Sequence, residues 1–93
     1  MMATVLIPVI FRGPTHGEAA VDVAADTIGA SLDAVEAKFP GVRELVVDPR
    51  TGGIHRFVKL TLNGELQGRE PAVLEKPVSE GDEIELIAAI AGG

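Results

Sequence analysis

Asp26-Thr27-Ile28-Gly29-Ala30-Ser31-Leu32-Asp33-Ala34-Val35-Glu36-Ala37-Lys38-Phe39, followed at once by Pro40-Gly41, decides how the rest of the chain is read. Ile28, Leu32, Val35 and Phe39 recur at i, i+4, i+7 and i+11, which places them on one stripe of an α-helix. Asp33, Glu36 and Lys38 fall off that stripe. Asp26 or Thr27 can cap the start, because either side chain can accept a hydrogen bond from an N–H left free in the first turn. Pro40-Gly41 stops the helix. A helix with one apolar stripe needs an apolar surface to cover, and the flanking sequence supplies strands.

Upstream, Ala3–Phe11 is short, β-branched and almost entirely apolar, so it reads as a strand buried on both faces. Pro8 conflicts with a continuous strand because it has no N–H to give a ladder, and a bulge or an early strand end would resolve the conflict. Arg12–Gly17 is turn chemistry, after which Glu18–Val23 returns as the second arm of a hairpin. Downstream, Val42–Val47 is read as a turn of 3₁₀ helix or a brief strand, and Asp48–Gly53 as a loop. His55–Leu62 is read as a strand with Lys59 and Thr61 on its polar face and a possible bulge at Val58. Asn63-Gly64 predicts a tight hairpin turn. Glu65–Pro77 is irregular, Ser79–Asp82 turns, and Glu83–Ile90 is the final strand. The first and last strands are the most continuously apolar, which puts them side by side at the centre of the sheet. One helix crossing one face completes two layers. The expected fold is α+β: a β-grasp, or ubiquitin-like, domain with a mixed sheet of four to five strands.

Composition narrows the possible chemistry. The chain has 93 residues, read as one domain spanning residues 1–93. Its hydrophobic fraction of 46% supports a packed core rather than disorder. There is no Cys, which removes disulfides, thiolate metal sites and cysteine nucleophiles. Eight basic residues against fourteen acidic ones give a net charge of −6, the wrong sign for tracking phosphates, and three Phe are the only aromatic residues besides His. No nucleic-acid partner is expected. No apolar run approaches the ~18 residues of a membrane helix, and Val5–Phe11 lacks the flanks of a secretory signal. A cytoplasmic location is expected.

The sequence closes on Ala91-Gly92-Gly93. Glycines without Cβ let a backbone pass close to the walls of a partner's cleft. Five extended residues, 89–93, reach at most about 16–18 Å. A flexible tail at about residues 89–93 would carry the terminal carboxylate off the globular body. A β-grasp domain with this end resembles the MoaD/ThiS class of ubiquitin-like sulfur carriers. A second stretch, Ile54-His55-Arg56-Phe57-Val58 followed by Asn63, is similar to the CysO-type carriers of actinobacteria, which feed a cysteine synthase.

That resemblance implies a function. An E1-like adenylyltransferase and sulfurtransferase would use ATP to adenylate the Gly93 carboxylate, and sulfur would displace AMP to leave a thiocarboxylate. The thiocarboxylate would donate sulfur in biosynthesis, with cysteine biosynthesis favoured and a cysteine synthase as acceptor. A JAB-type metalloprotease is a further implied partner. The chain would be a protein cosubstrate rather than an enzyme, with Gly93 as its reactive residue and no cofactor or metal of its own. Ala91, Gly92 and Gly93, with His55, Arg56 and Phe57, would meet the partners. Two alternatives share the same tail: the small subunit of a molybdopterin synthase, and a ubiquitin-like modifier forming isopeptide bonds. A β-grasp binding module with an inert end is a third. His55 and Arg56 also fit a plain polar entry to a strand, and His16 fits a surface turn. His16 and His55 lack the spacing of a metal pair. Gly52-Gly53 reads as turn punctuation. Glu80, Asp82, Glu83 and Glu85 read as an acidic group near the base of the tail, either solvated or steering the chain toward a basic partner.

Overall fold

A computed structural model describes residues 2–88. Five strands form one sheet: β1 (Met2–Leu6), β2 (Ala20–Ala24), β3 (Val58–Leu62), β4 (Glu65–Leu66) and β5 (Glu83–Ala88). Their order across the sheet is β2-β1-β5-β3-β4. β1 and β5 run parallel at the centre, and every other pairing is antiparallel. The main helix, α1 (Ile28–Lys38), covers one face, and a single helical turn, α2 (Arg43–Val46), follows it. This is the β-grasp fold, with the first and last strands as neighbours.

Local chemistry accounts for these elements. Thr27, not Asp26, caps α1: its backbone is extended and its hydroxyl accepts from the Ala30 N–H at 3.0 Å. Ile28, Leu32 and Val35 are buried beneath the helix, while Phe39, at its end, packs against the core only in part. Glu36 ties the end of α1 to α2 by accepting from the backbone N–H groups of Gly41 and Arg43. Asn63 and Gly64 both have positive φ, 52° and 84°, the conformation that a two-residue hairpin requires. Val5, Val58 and Ile84, from three central strands, meet Ile28 and Val35 with no exposed surface. Each large side chain buried in this way contributes about 1.5–3 kcal/mol relative to exposure.

Several expectations are corrected. The first strand ends at Leu6, and Pro8 opens a 3₁₀ turn at Val9–Phe11. It is not buried on both faces: Ala3 and Val5 face the core while Met2 is exposed, and Val9 and Ile10 are 75% and 57% exposed. The strand expected over His55–Leu62 begins only at Val58. Val58 is therefore no bulge but the first inward residue of β3, and Phe57 points to solvent. Thr61, expected on a polar face, is buried, and its hydroxyl has no hydrogen-bond partner among the described residues. Val42–Val47 forms a turn of α-helix, after which Val47 bridges Ile54.

Candidate functional site

The sheet has two chemically distinct ends, and the register says which residues belong to each. Ala88 pairs with Val58, and Glu85 pairs with Leu6 across the parallel ladder. The end of β5, the start of β3 and the end of β1 therefore lie together. Residues 89–93, with Ala91, Gly92 and Gly93 and the proposed tail, lie outside the described residues. The last described residue of β5 nevertheless sits at this end, beside His55–Phe57. Three apolar side chains are exposed around it: Val9, Phe57 and Ile87.

His55, Arg56 and Phe57 form the turn that enters β3. The rings of His55 and Phe57 stack with centroids 5.0 Å apart and planes 14° from parallel. The His55 Nε2–H donates to the Glu44 carbonyl at 3.2 Å, since a carbonyl can only accept. That turns Nδ1 toward Asp48, whose Oδ2 is 3.7 Å away. Asp48 is buried at the bottom of the loop, where its Oδ1 accepts from the Arg50 N–H at 2.9 Å. This backbone bond, followed by the Arg50 guanidinium and His55, holds the Asp48 carboxyl below the usual range, with burial opposing.

Arg56 is not alone. Arg50, Arg56 and Arg69 line one cavity of about 520 Å³ together with His55, Phe57 and Asp48. Three of the chain's five arginines thus gather where β5 runs out, in a protein of net charge −6. Arg50 and Arg69 were not candidates from the sequence, because they sit in a loop and in an irregular segment. What joins them is backbone: the Ile54 N–H donates to the Arg69 carbonyl at 2.9 Å, and the Asp48 N–H to the Gly53 carbonyl at 2.8 Å. Gly53 allows this approach, since a Cβ there would stand 2.0 Å from the Arg69 carbonyl oxygen. Gly53 is therefore more than turn punctuation.

The acidic group is placed differently from the expectation. Glu80, Asp82 and Glu83 lie at the opposite end of the sheet, where the Met2 N–H donates to Glu80 and Asn63 donates to Asp82. Five strand steps from Glu83 to Ala88 separate the two ends by about 17 Å. Only Glu85 sits partway toward the exit, in the wall of a second cavity. His16 is exposed at a turn with φ 56°, its ring 6.1 Å from that of Phe39. Among the described residues no three His, Cys, Asp or Glu gather as a metal site, and no helix is long and apolar enough to cross a membrane.

Glu36 and Asp82 share the Asp48 pattern. Backbone N–H groups of Arg43 and Gly41 lower the Glu36 carboxyl, and those of Ser79, with the Asn63 side chain, lower Asp82. A carboxyl lowered by folding contributes stability above its unfolded pKa and loses that contribution as pH falls through the folded value. Stability is therefore expected to decline below about pH 4. Asp82→Asn should flatten the acid limb in thermal melts taken across pH, and an unchanged limb would contradict the assignment.

Strand order and the single helix crossing the sheet define the ubiquitin-like class of β-grasp domains. The chain matches the ThiS family model over residues 11–93, and it belongs to that family. Over its full length it is 37% identical to sulfur carrier protein CysO of Mycobacterium tuberculosis, and the alignment covers 100% of both chains. The crystal structure of M. tuberculosis CysO superposes with a TM-score of 0.83 at 34% identity, covering 95% of this chain and 99% of that one. CysO in the Amycolatopsis orientalis BexX/CysO complex gives a TM-score of 0.83 at 33% identity, covering 98% of this chain and 99% of that one.

Proposed function

We propose that the chain is a sulfur carrier of the CysO type, acting as a protein cosubstrate through the Gly93 carboxylate. The observation that carries this reading is 37% identity to CysO across the whole of both chains, ending here in Gly92-Gly93. The chemistry starts from a carboxylate, which is a poor acyl donor. A carboxylate oxygen attacks the α-phosphorus of ATP held by the E1-like enzyme, pyrophosphate leaves, and an acyl-adenylate forms. Sulfide then adds to the acyl carbon and expels AMP, leaving the thiocarboxylate. The carrier binds no cofactor of its own in this scheme, and its lack of Cys means that no internal thiol competes for the activated acyl group. Cysteine biosynthesis, with a cysteine synthase as acceptor, is the pathway this similarity favours. Incubation with the activating enzyme, ATP and a sulfur source should raise the intact mass by the difference between sulfur and oxygen, localised to Gly93. An unchanged mass with competent partners would overturn the proposal.

His55, Arg56 and Phe57 then serve as docking residues, now joined by Arg50 and Arg69. The stacked His55–Phe57 pair offers an exposed aromatic surface, and the arginines suit carboxylates on the partner. Exposed charges of this kind act mainly on encounter rate. Arg56→Glu is expected to raise KM for the sulfur acceptor roughly tenfold while kcat holds, with the effect shrinking at high ionic strength. A salt-independent change, or a loss in kcat alone, would remove Arg56 from the docking surface.

A further inference from the structure

β5 has one open stretch of edge. The Thr4 N–H donates to the Asp82 carbonyl at 2.9 Å, which sets the phase of the parallel ladder: even-numbered residues of β5 turn their backbone groups toward β1. On the other side the Asn63 N–H donates to the Glu83 carbonyl at 2.8 Å, so odd-numbered residues turn toward β3. Continuing the ladder past Leu6 brings Pro8 opposite Leu86 and Ala88. Pro8 has no N–H for the Leu86 carbonyl. Its own carbonyl accepts the Phe11 N–H at 2.9 Å, and among the described residues no hydrogen bond joins it to the Ala88 N–H. The chain then leaves the sheet as the 3₁₀ turn at Val9–Phe11. The Leu86 carbonyl and the Ala88 N–H thus meet no partner from β1. They face a cavity of about 440 Å³ walled by Leu6, Pro8, Val9, Arg12 and Glu85.

We infer that this gap is a docking edge for an extended segment of the enzyme that adenylates the tail, paired backbone to backbone with Leu86 and Ala88. The inference rests on the sulfur-carrier reading. Three features select this occupant. An unpaired strand edge binds extended backbone. β5 is the strand that leads directly into the tail, so an enzyme engaging residues 89–93 has its own backbone beside this edge. Exposed Val9 and Ile87 flank the gap and offer apolar contacts to alternate side chains of an added strand. Pairing there would fix the direction of β5 and hence the line along which Gly93 enters the partner.

The test uses the full chain and its adenylating enzyme without ATP. Amide exchange of Ala88 is expected to slow at least about tenfold on complex formation. Ala88→Pro removes that donor without touching the β3 ladder, and should weaken binding about tenfold; Ala88→Val keeps the N–H and should bind like wild type. If Ala88→Pro proves poorly folded, exchange in the wild-type complex decides alone. An enzyme that adenylates Gly93 while the Ala88 amide exchanges freely would overturn the edge and leave the carrier reading intact. Protection of Ala88 without any adenylate on adding ATP would keep the edge and remove the carrier reading. Concentration-dependent self-association that protects Ala88 in the free carrier would assign the edge to a second copy and overturn the proposal.

Discussion

Deleting Gly92-Gly93 should abolish sulfur transfer and leave the melting temperature within about 2–4 °C of the full chain. The core explains why the two effects separate. Among the described residues, the buried core cluster runs from Ala3 to Leu86 and none of its members is removed by the deletion. The shortened chain still ends in a carboxylate, but on Ala91, up to about 7 Å short of the reach proposed for Gly93. A milder change separates reach from chemistry: Gly92→Val keeps a terminal carboxylate on Gly93 but adds a β-branched side chain to the threaded segment. It should lower the rate of adenylation sharply while an intact mass still shows a trace of thiocarboxylate. Thiocarboxylate formation in the deleted chain at the full rate would end the proposal, because it would locate the reactive group elsewhere.

Gly53→Ala should be among the most destabilising single substitutions of an apparently unremarkable loop residue. A Cβ at this position would lie 2.0 Å from the Arg69 carbonyl oxygen and 3.2 Å from its carbon, both backbone atoms. Neither can swing aside as a side chain would. Relief requires the 53–54 and 69–70 segments to part, which strains the Ile54-to-Arg69 hydrogen bond and the bridge between Val47 and Ile54. The expected cost is about 1–3 kcal/mol, or roughly 4–24 °C in melting temperature for a domain of this size. Because the same contact holds Arg69 beside Arg50 and Arg56, the variant should also weaken acceptor docking at temperatures where it is fully folded. Gly52→Ala offers a contrast: its φ is 77°, so its strain is conformational and local. A Gly53→Ala chain that melts with wild type would show that the two segments do not approach as described.

The fold was legible because its main signals are periodic. One helical stripe, one Asn-Gly turn and two apolar terminal strands suffice to order the sheet. The misreadings cluster at one end of it. Val9 and Ile10 look like strand interior, yet both are exposed on the 3₁₀ turn that follows β1. A rule that sends apolar residues inward fails where apolar residues are displayed. The acidic group was misplaced for a different reason. Glu83 is near the closing glycines in sequence, but a strand is straight, and five steps of β5 carry Glu83 away from Ala88. The basic cavity was illegible because Arg50, Arg56 and Arg69 belong to three separate segments joined by backbone hydrogen bonds that no spacing encodes.

The separation of charge along the sheet has a consequence for motion before contact. With Arg50, Arg56 and Arg69 gathered at one end and Glu80, Asp82 and Glu83 at the other, these groups contribute an electric dipole roughly along β5. In the field of a negatively charged enzyme surface such a body experiences a torque as well as a net force. Although its overall charge is repelled, the torque turns the arginine pole forward within a Debye length, about 8 Å at physiological salt. Rotational diffusion is thereby biased, and a larger share of collisions begins with the end of β5 at Ala88 in front.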